Sequence, residues 1–480
     1  MKQQSWSALL SGENGIRSLT FTGGVMLHAV TVYIVITILP SLINDIGGEQ
    51  YYSWVATVFI TASLIGTSLA TNTLGKIGPR NSYAVAILIF AIGTFMCSIA
   101  PNMPLFLMGR FIQGFGSGSL LSLSYSIIRI VFSPHLWSRA LGIISGMWGI
   151  STLLGPAIGG ISVQYSTWRA SFWIVGFLAI IFLLIALKVL PKNNKTIVPN
   201  PPLPLSQLFI LNLLIFIIST GSAMDATAVK VCGLVLGISL LFVLAKIESS
   251  TPYPMLPRKT FSISSELFSL YSLIIIMSTG AYAIEFYFPL FLQELYNKDP
   301  IVAGYMAALI SIGWTCSSLS SAGISTKKIR SIIVYSPVFS LLSVGILLWL
   351  LPTEVSTDDD TFIICLALFA IGMSSGITWP HFLTRILQCA RDEDALRASE
   401  SLTSVQLFSM AFITALAGIV TNLAGLSNPG GITGMISAVK ALLIATIGIL
   451  FCLGIPFSLR VSRAILKNPT GQSKSAKDNS

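Results

Sequence analysis

Long apolar runs, each closed by a short polar or basic turn, repeat from one end of this chain to the other. A bilayer-crossing helix needs about 20 mostly apolar residues. With that window fourteen segments qualify: 18–40, 53–74, 82–100, 104–130, 139–163, 168–190, 206–223, 228–246, 266–295, 301–323, 330–352, 361–384, 397–423 and 434–459. None alternates apolar and polar residues as a barrel strand does, so each predicts a helix. Two short segments, 206–223 and 228–246, lie between the Pro-rich gaps "PKNNKTIVPNPPLPL" (191–205) and "ESSTPYPMLPRKTF" (248–261) and read as one inserted hairpin. The predicted fold class is all-α, a polytopic membrane protein with 14 transmembrane helices in a 6 + 2 + 6 order. Its domains would be a six-helix bundle over 1–190, a linker with the hairpin over 191–262, a second six-helix bundle over 263–462, and a disordered cytoplasmic tail over 463–480.

Composition sharpens this picture. Of the 480 residues 54% are hydrophobic and only 10% charged, with mean hydropathy +0.82. Soluble domains carry about a quarter charged residues. The net charge of +10 raises nucleic acid as a partner, but its distribution answers otherwise. With the N-terminus inside, 23 of the 28 Lys and Arg fall in the tails or in connections on one face; the exceptions are Arg110, Arg169, Lys230, Lys298 and Lys440. The acidic stretch Glu354–Asp360 falls on the other face. This positive-inside bias places both termini in the cytoplasm; the expected location is a bacterial inner membrane. The first apolar run is too long for a signal-peptide core and is expected to stay. All six cysteines sit in or beside apolar spans, without a CxxC pair, and read as small membrane-core residues.

The two halves echo each other. "FIQGFGSG" (111–118) and "FAIGMSSG" (369–376) share a Phe and a Gly-xxx-Gly, and "SLATNTLGKIGPR" (68–80) pairs with "SLSSAGISTKKIR" (318–330). A repeated six-helix unit predicts two bundles with a site between them. The fuller stretch "GRFIQGFGSGS" (109–119) invites a nucleotide-loop reading, yet it is GxGxGx inside a helix, with no preceding strand, and no GxxxxGK[ST] occurs in the chain. Nucleotide binding is therefore not expected. Gly114, Gly116 and Gly118 read instead as a surface for close helix approach.

Arg110 is the part that does not repeat, since its counterpart in the second half is Leu368. It lies roughly 12 Å deep at 1.5 Å per residue, where insertion costs at least ~2.5–3.5 kcal/mol unless it is paired or hydrated. The acidic residues of the first half, Glu13, Asp45 and Glu49, all lie outside the spans. Backbone carbonyls, Thr31, Gln113, water or a cargo must then serve. Two readings stand: Arg110 ties the fourth span to the first, or it takes a direct part in coupling or substrate contact.

Glu285, in "GAYAIEFYFPLF" (280–291), is the only carboxylate well inside any span, with Tyr282 and Pro289 on its helix face. A buried carboxylate suits a proton carrier or the counter-charge of a cation, against a glutamate at a wetted outer vestibule. His28 and His381 are further titratable groups in spans, and neither has metal-ligand spacing around it. No HExxH, nucleophile elbow or intramembrane carboxylate pair appears, so neither a metal, a cofactor nor enzyme chemistry is expected. In the fifth span, "GIISGMWGISTLLGPAIGG" (142–160), Pro156 breaks the helix ladder while Gly155, Gly159 and Gly160 leave a groove for a neighbour. That bend reads as a pivot, a seam or a plain kink.

Taken in order, these residues resemble the major facilitator superfamily, and within it the fourteen-span drug–proton antiporter branch, over nearly the whole chain. The fourth-span motif matches through Arg110, Gln113, Gly114, Gly116 and Gly118. The fifth-span antiporter motif matches through Gly142, Gly155, Pro156, Gly159 and Gly160, with Ser151 where a glycine is usual. "TWRASFWI" (167–174) looks like the Trp-Arg-xx-Phe opening of the sixth span. The loop "TLGKIGPR" keeps Lys76, Gly78 and Arg80 but has Gly75 where the family's gating Asp belongs, and Thr31 stands where drug-exporting relatives usually carry an Asp. The resemblance implies a major facilitator fold and alternating access, exporting a small amphipathic molecule against proton entry across the lipid bilayer. Glu285 is then the candidate proton or cation site, with Arg110 responding to it or holding the first span. Arg110 and His28 as the ionisable groups of the first half hint at an anionic or zwitterionic cargo such as a siderophore. A transport-inactive sensor or scaffold is the reading from a different class.

Overall fold

In a bilayer the backbone finds no water to bond, so a spanning segment must satisfy its own N–H and C=O groups, and a helix does. The computed structural model describes residues 9–133, 136–191, 203–321, 324, 326–351, 358–390 and 395–467, and among these it contains helices and no strand. The helices are α1 Gly12–Ile46, α2 Tyr52–Ile99, α3 Met103–Val131, α4 Trp137–Tyr165, α5 Trp168–Val189, α6 Leu205–Ala223, α7 Thr227–Ser250, α8 Glu266–Tyr296 and α9 Pro300–Ser321. They continue as α10 Thr326–Leu350, α11 Asp358–Gly376, α12 Trp379–Cys389, α13 Ala395–Leu423, α14 Gly431–Ile449 and α15 Ile455–Lys467. Thirteen stretches of described helix are long and apolar enough to cross a membrane. α3, which carries Arg110 and Gln113, is not among them.

Four boundaries differ from the expected spans, each for a local reason. α2 holds two spans in one continuous stretch, turned at Gly78 (φ 78°, ψ 170°), where a side chain would be strained and Pro79 opens the next helix. The segment 361–384 is broken between Gly376 and Trp379, with Pro380 in the first turn of α12, where its missing N–H costs nothing. The last span passes through a π-helical turn, Leu450–Gly454, into α15. Because α15 runs to Lys467, the tail expected to be disordered from 463 starts as helix, and residues 468–480 lie outside the described residues.

The chain forms two compact units. The first gathers Met1–Leu203 with Asp299–Tyr305, and the second Pro204–Lys298 with Met306–Ser480, so the hairpin α6–α7 clusters with the second. In the second unit Lys230 Nζ on α7 donates to the Asn422 carbonyl at the end of α13 (2.9 Å), and Asn422 Nδ2 donates to the Ser222 carbonyl on α6 (3.0 Å). Outward faces are apolar, with Trp349 75% and Phe242 73% exposed, while Arg110, Gln113, His28 and Ser117 are buried. That inversion is what a lipid-facing surface requires.

Candidate functional site

Asn102 starts α3 by accepting a hydrogen bond from the Leu105 N–H (3.1 Å), and Pro104 occupies the first turn. Spacing along this helix then puts Arg110, Gln113 and Ser117 on one face. Arg110 is 1% exposed. Its Nε donates to the Val55 carbonyl of α2 (3.2 Å), and one terminal nitrogen donates to Gln113 Oε1 (2.5 Å). Gln113 Nε2 donates onward to Thr94 Oγ1 (2.8 Å) in the later part of α2. The guanidinium also covers the Phe59 ring, with Cζ 4.0 Å from its centroid. A hydrogen bond from a charged donor is worth about 1.5–3 kcal/mol and a desolvated cation–π contact about 2 kcal/mol. These contacts together offset an insertion cost of ~2.5–3.5 kcal/mol.

Of the two readings of Arg110, the tie to the first span has no hydrogen bond among the described residues; its partners are Val55 on the second span and Gln113 on its own helix. Thr31 returns its hydroxyl to Leu27 O in its own helix (2.7 Å). Backbone carbonyls and Gln113 were among the partners expected for Arg110; which carbonyl it is carries no side-chain signature and comes from the fold. His28 does join the same neighbourhood. Its Nδ1 lies 2.6 Å from Ser117 Oγ, and its ring sits between Phe59 (centroids 5.6 Å) and Trp148 (5.6 Å).

The glycines of α3 serve as contact surface on two sides. A Cβ on Gly114 would overlap Phe59 O, one on Gly118 would overlap Ser63 O, and one on Gly116 would strike the Phe90 backbone. Ser63 Oγ donates to Gly114 O (2.9 Å) and Thr67 Oγ1 to Gly118 O (3.1 Å), so the approach is also hydrogen-bonded. The second unit repeats the device without the arginine: Gly372 and Gly376 of α11 press on Ile310 O and Trp314 O of α9, and Leu368 is fully buried.

On α4, Gly155 and Gly159 pack against Tyr33, Ile34 and Thr37 of α1, and Gly160 meets Ile301 of the segment that clusters with this unit. Pro156 lies within the helix and touches the space at Gly304. Gly142 is exposed, and a Cβ there would meet nothing within 4 Å among the described residues, as at Gly146 and Gly149. Gly78 supplies the turn of α2, with Lys76 exposed and Arg80 half-buried beside it. At the opposite end of the unit, Arg169 pairs with Asp45 of α1 and donates to Ala100 O (2.9 Å), while Trp168 Nε1 donates to Asp45 Oδ2 (3.0 Å). That gives the "TWR" opening a fastening role the sequence did not reveal.

In the second unit Ser265 caps α8, accepting from the Phe268 N–H (3.0 Å). Glu285 is 6% exposed, and its Oε1 accepts from Ser311 Oγ of α9 (2.6 Å). Among the described residues no Lys, Arg or His forms an ion pair with it. Tyr282, one turn away and half-buried, accepts a long contact from Gln406 Nε2 of α13 (3.5 Å). Ser311 and Gln406 were not singled out, because serines and glutamines carry no pattern of their own. His381 lies in the first turn of α12, next to the Ser321 backbone, and no described hydrogen bond joins it to Glu285 or Tyr282. No group of three or more His, Cys, Asp or Glu among the described residues could hold a metal.

Comparison with known proteins agrees with this architecture. The family model described as Major Facilitator Superfamily matches residues 21–414. A Mycobacterium tuberculosis (strain H37Rv) protein named a probable multidrug-efflux transporter is 30% identical over 429 residues, covering 88% of this chain and 90% of that one. The multidrug efflux pump SdrM of Staphylococcus aureus (strain N315) is 26% identical over 327 residues, 67% of this chain and 71% of the pump. Among solved structures, a bacterial homolog of the human lysosomal transporter Spinster, inward-facing and occupied, superposes with TM-score 0.65 at 14% identity over 99% of this chain and 100% of its own. A peptide transporter POT bound to sulfate gives 0.67 at 16% identity, over 94% and 95%. At such identities the structures speak for the fold alone. Helical membrane architecture, family model and relatives agree: this chain belongs to the major facilitator superfamily and is an integral membrane transporter of small molecules.

Proposed function

We propose that the protein exports small amphipathic molecules, in the manner of a multidrug efflux pump, by exchanging them for protons through alternating access. The observation that carries this reading is Glu285, a carboxylate buried in α8 that among the described residues accepts from a neutral hydroxyl, Ser311 Oγ at 2.6 Å, and forms no ion pair. Such a group is costly to keep charged in the membrane interior unless a proton or a cation compensates it. A site that must take one or the other can exchange them. The named activities of the mycobacterial and staphylococcal relatives support the same direction. The location proposed with it is a bacterial plasma membrane, with both termini in the cytoplasm.

A second reading is favoured by the other unit. No Asp or Glu occurs between Glu49 and Leu190, while Arg110 and His28 are buried there. That charge balance suits an anionic or zwitterionic metabolite as cargo.

Proteoliposomes containing the full chain test both. A pH gradient is imposed, and uptake or release of a panel of cationic and anionic dyes is followed. Proton-driven flux of the cationic members, lost in Glu285→Gln, is the expected result. Flux confined to anions replaces the first reading by the second, and no gradient-driven flux of any member overturns both.

A further inference from the structure

The last helical run of the chain is longer than a membrane requires. Gly431–Lys467 is 37 residues of helix, passing through the π-helical turn into α15. At about 1.5 Å per residue it reaches about 55 Å, against about 30 Å for the hydrocarbon core and about 40–45 Å with both headgroup layers. The surplus falls on α15, which carries Arg460, Arg463 and Lys467, while Lys440 is the one charge of the run before it. α15 thus reaches the headgroup layer, and it has two faces. Ser458, Val461, Ser462 and Ile465 are buried, whereas Leu459, Arg463, Leu466 and Lys467 share the exposed side.

A second element meets α15 at this corner of the second unit. The connection between α7 and α8 closes into a tight turn, in which the Ser262 N–H donates to the Lys259 carbonyl (3.0 Å) and Ser265 Oγ donates to the same oxygen (2.7 Å). These bonds hold Lys259 in the left-handed region (φ 71°), a setting few residues other than glycine adopt. Arg460 of α15 donates to the Ile263 carbonyl of this turn, and Phe457 meets Phe268 of α8 (centroids 6.0 Å). Lys259 is exposed, and so is Ile263, by 70%. The acids bordering the turn are engaged elsewhere: Glu248 accepts from the Leu256 N–H (2.6 Å), and Glu266 is paired with Arg385. No ion pair among the described residues includes Lys259, Arg463 or Lys467.

We propose that this corner binds an acidic phospholipid, with Arg463, Lys467 and Lys259 on its headgroup phosphate and Leu459, Leu466 and Ile263 against the start of its acyl chains. Exposed cations interleaved with exposed aliphatic side chains fit a lipid better than a dissolved anion. The aliphatic groups need hydrocarbon and the cations need phosphate, and a phospholipid joins the two. Arg463 supplies a planar fork for phosphate oxygens, and the lysines act as point charges. A zwitterionic headgroup carries no net charge, so selection falls on the acidic class. Seated there, the lipid ties α15 to the α7–α8 connection and reinforces the Arg460–Ile263 bond. Which leaflet it comes from follows the orientation proposed above; the site itself depends neither on that orientation nor on the cargo.

Full-length protein in detergent is titrated with phosphatidylglycerol and with phosphatidylcholine carrying the same fluorescent acyl chain. Each cation near an acidic headgroup is worth roughly fivefold in affinity. Replacing Lys259, Arg463 and Lys467 together by Gln is therefore expected to weaken phosphatidylglycerol binding about 100-fold and to leave phosphatidylcholine binding unchanged. Lys259→Arg combined with Arg463→Lys keeps the charges and should retain most of the preference. A photoreactive phosphatidylglycerol should label the turn at Lys259 and α15; this is read on the wild type and needs no variant. Thermal unfolding in phosphatidylcholine nanodiscs confirms that the substituted proteins are folded. Label falling instead on another basic turn, such as that of Lys76 and Arg80, overturns the proposal. So does a triple variant that keeps its preference, and so does competition by inorganic phosphate as strong as that by the lipid, which marks a plain anion site. Because binding in detergent involves neither a gradient nor a cargo, failure of the exporter reading in the flux assay leaves this result separately readable.

Discussion

Arg110 donates from Nε to the main-chain carbonyl of Val55 at 3.2 Å, so the charge carried by the fourth span is anchored on the second. The same guanidinium reaches Gln113 and lies over Phe59. Lysine keeps the charge but has neither the planar fork nor the flat face. Arg110→Lys is therefore expected to lower transport at least tenfold and to destabilise the protein by about 1–3 kcal/mol, roughly one charged hydrogen bond. Arg110→Leu, which copies the second half's Leu368, should be closer to wild type in thermal stability yet equally poor in flux. Equal flux in Arg110→Lys and wild type would remove the geometric role.

The glycines of α3 and α4 make opposite predictions although they look alike in the sequence. A Cβ at Gly118 overlaps the Ser63 carbonyl oxygen, whereas at Gly142 it meets nothing within 4 Å. Gly118→Ala should cost about 1–3 kcal/mol through forced separation of α2 and α3. Gly142→Ala should be neutral or slightly stabilising, because alanine is the better helix former by about 1 kcal/mol. Detergent thermal-shift measurements on the two variants check this, and equal losses would contradict the packing described for α3.

How far the sequence carried the reading follows from these same positions. Apolar runs long enough to span a bilayer announced the helices, since length and hydropathy are properties of the side chains alone. Gly-xxx-Gly announced close approach for the same reason. What it could not announce was anything decided by a neighbour's backbone or by a common small polar residue. The carbonyl of Val55, the hydroxyl of Ser117 under His28 and the hydroxyl of Ser311 under Glu285 are of this kind. Gly142 matched a motif, yet its environment is set by what stands opposite it, and no described atom lies within 4 Å of a Cβ there. The break before Trp379 was written in Pro380, but proline inside Pro40 and Pro289 leaves a helix continuous, so the residue alone did not decide.

The hairpin α6–α7 is fastened by one cation. Lys230 is 5% exposed and donates to the Asn422 carbonyl, while Asn422 Nδ2 donates to Ser222 O and Oγ. Lys230→Met keeps the length and removes the charged donor to the Asn422 carbonyl. The expected loss is about 1–3 kcal/mol, together with faster protease nicking of the connection between Ala223 and Thr227. Asn422→Ala should produce the same nicking pattern, and the double variant should add little, since both act on one linkage. Unchanged protection in either single variant would show that the hairpin is held by its apolar contacts alone.

Arg385 and Glu266 form a part-buried ion pair in the second unit, with Nε to Oε1 at 2.5 Å and a second guanidinium nitrogen to Oε2 at 3.0 Å. Two parallel bonds fix both side chains and so fix α12 against the first turn of α8. Removing one member breaks two charge-assisted bonds, and a hydrogen bond to a charged group is worth about 1.5–3 kcal/mol. Arg385→Met is expected to fall in that range, and Glu266→Gln somewhat below it, since the amide still accepts one bond. Combining Arg385→Met with Glu266→Leu removes both charges at once and should recover much of the loss. A double-mutant cycle on thermal unfolding measures the coupling, and a coupling energy near zero would mean the pair does not join α8 to α12.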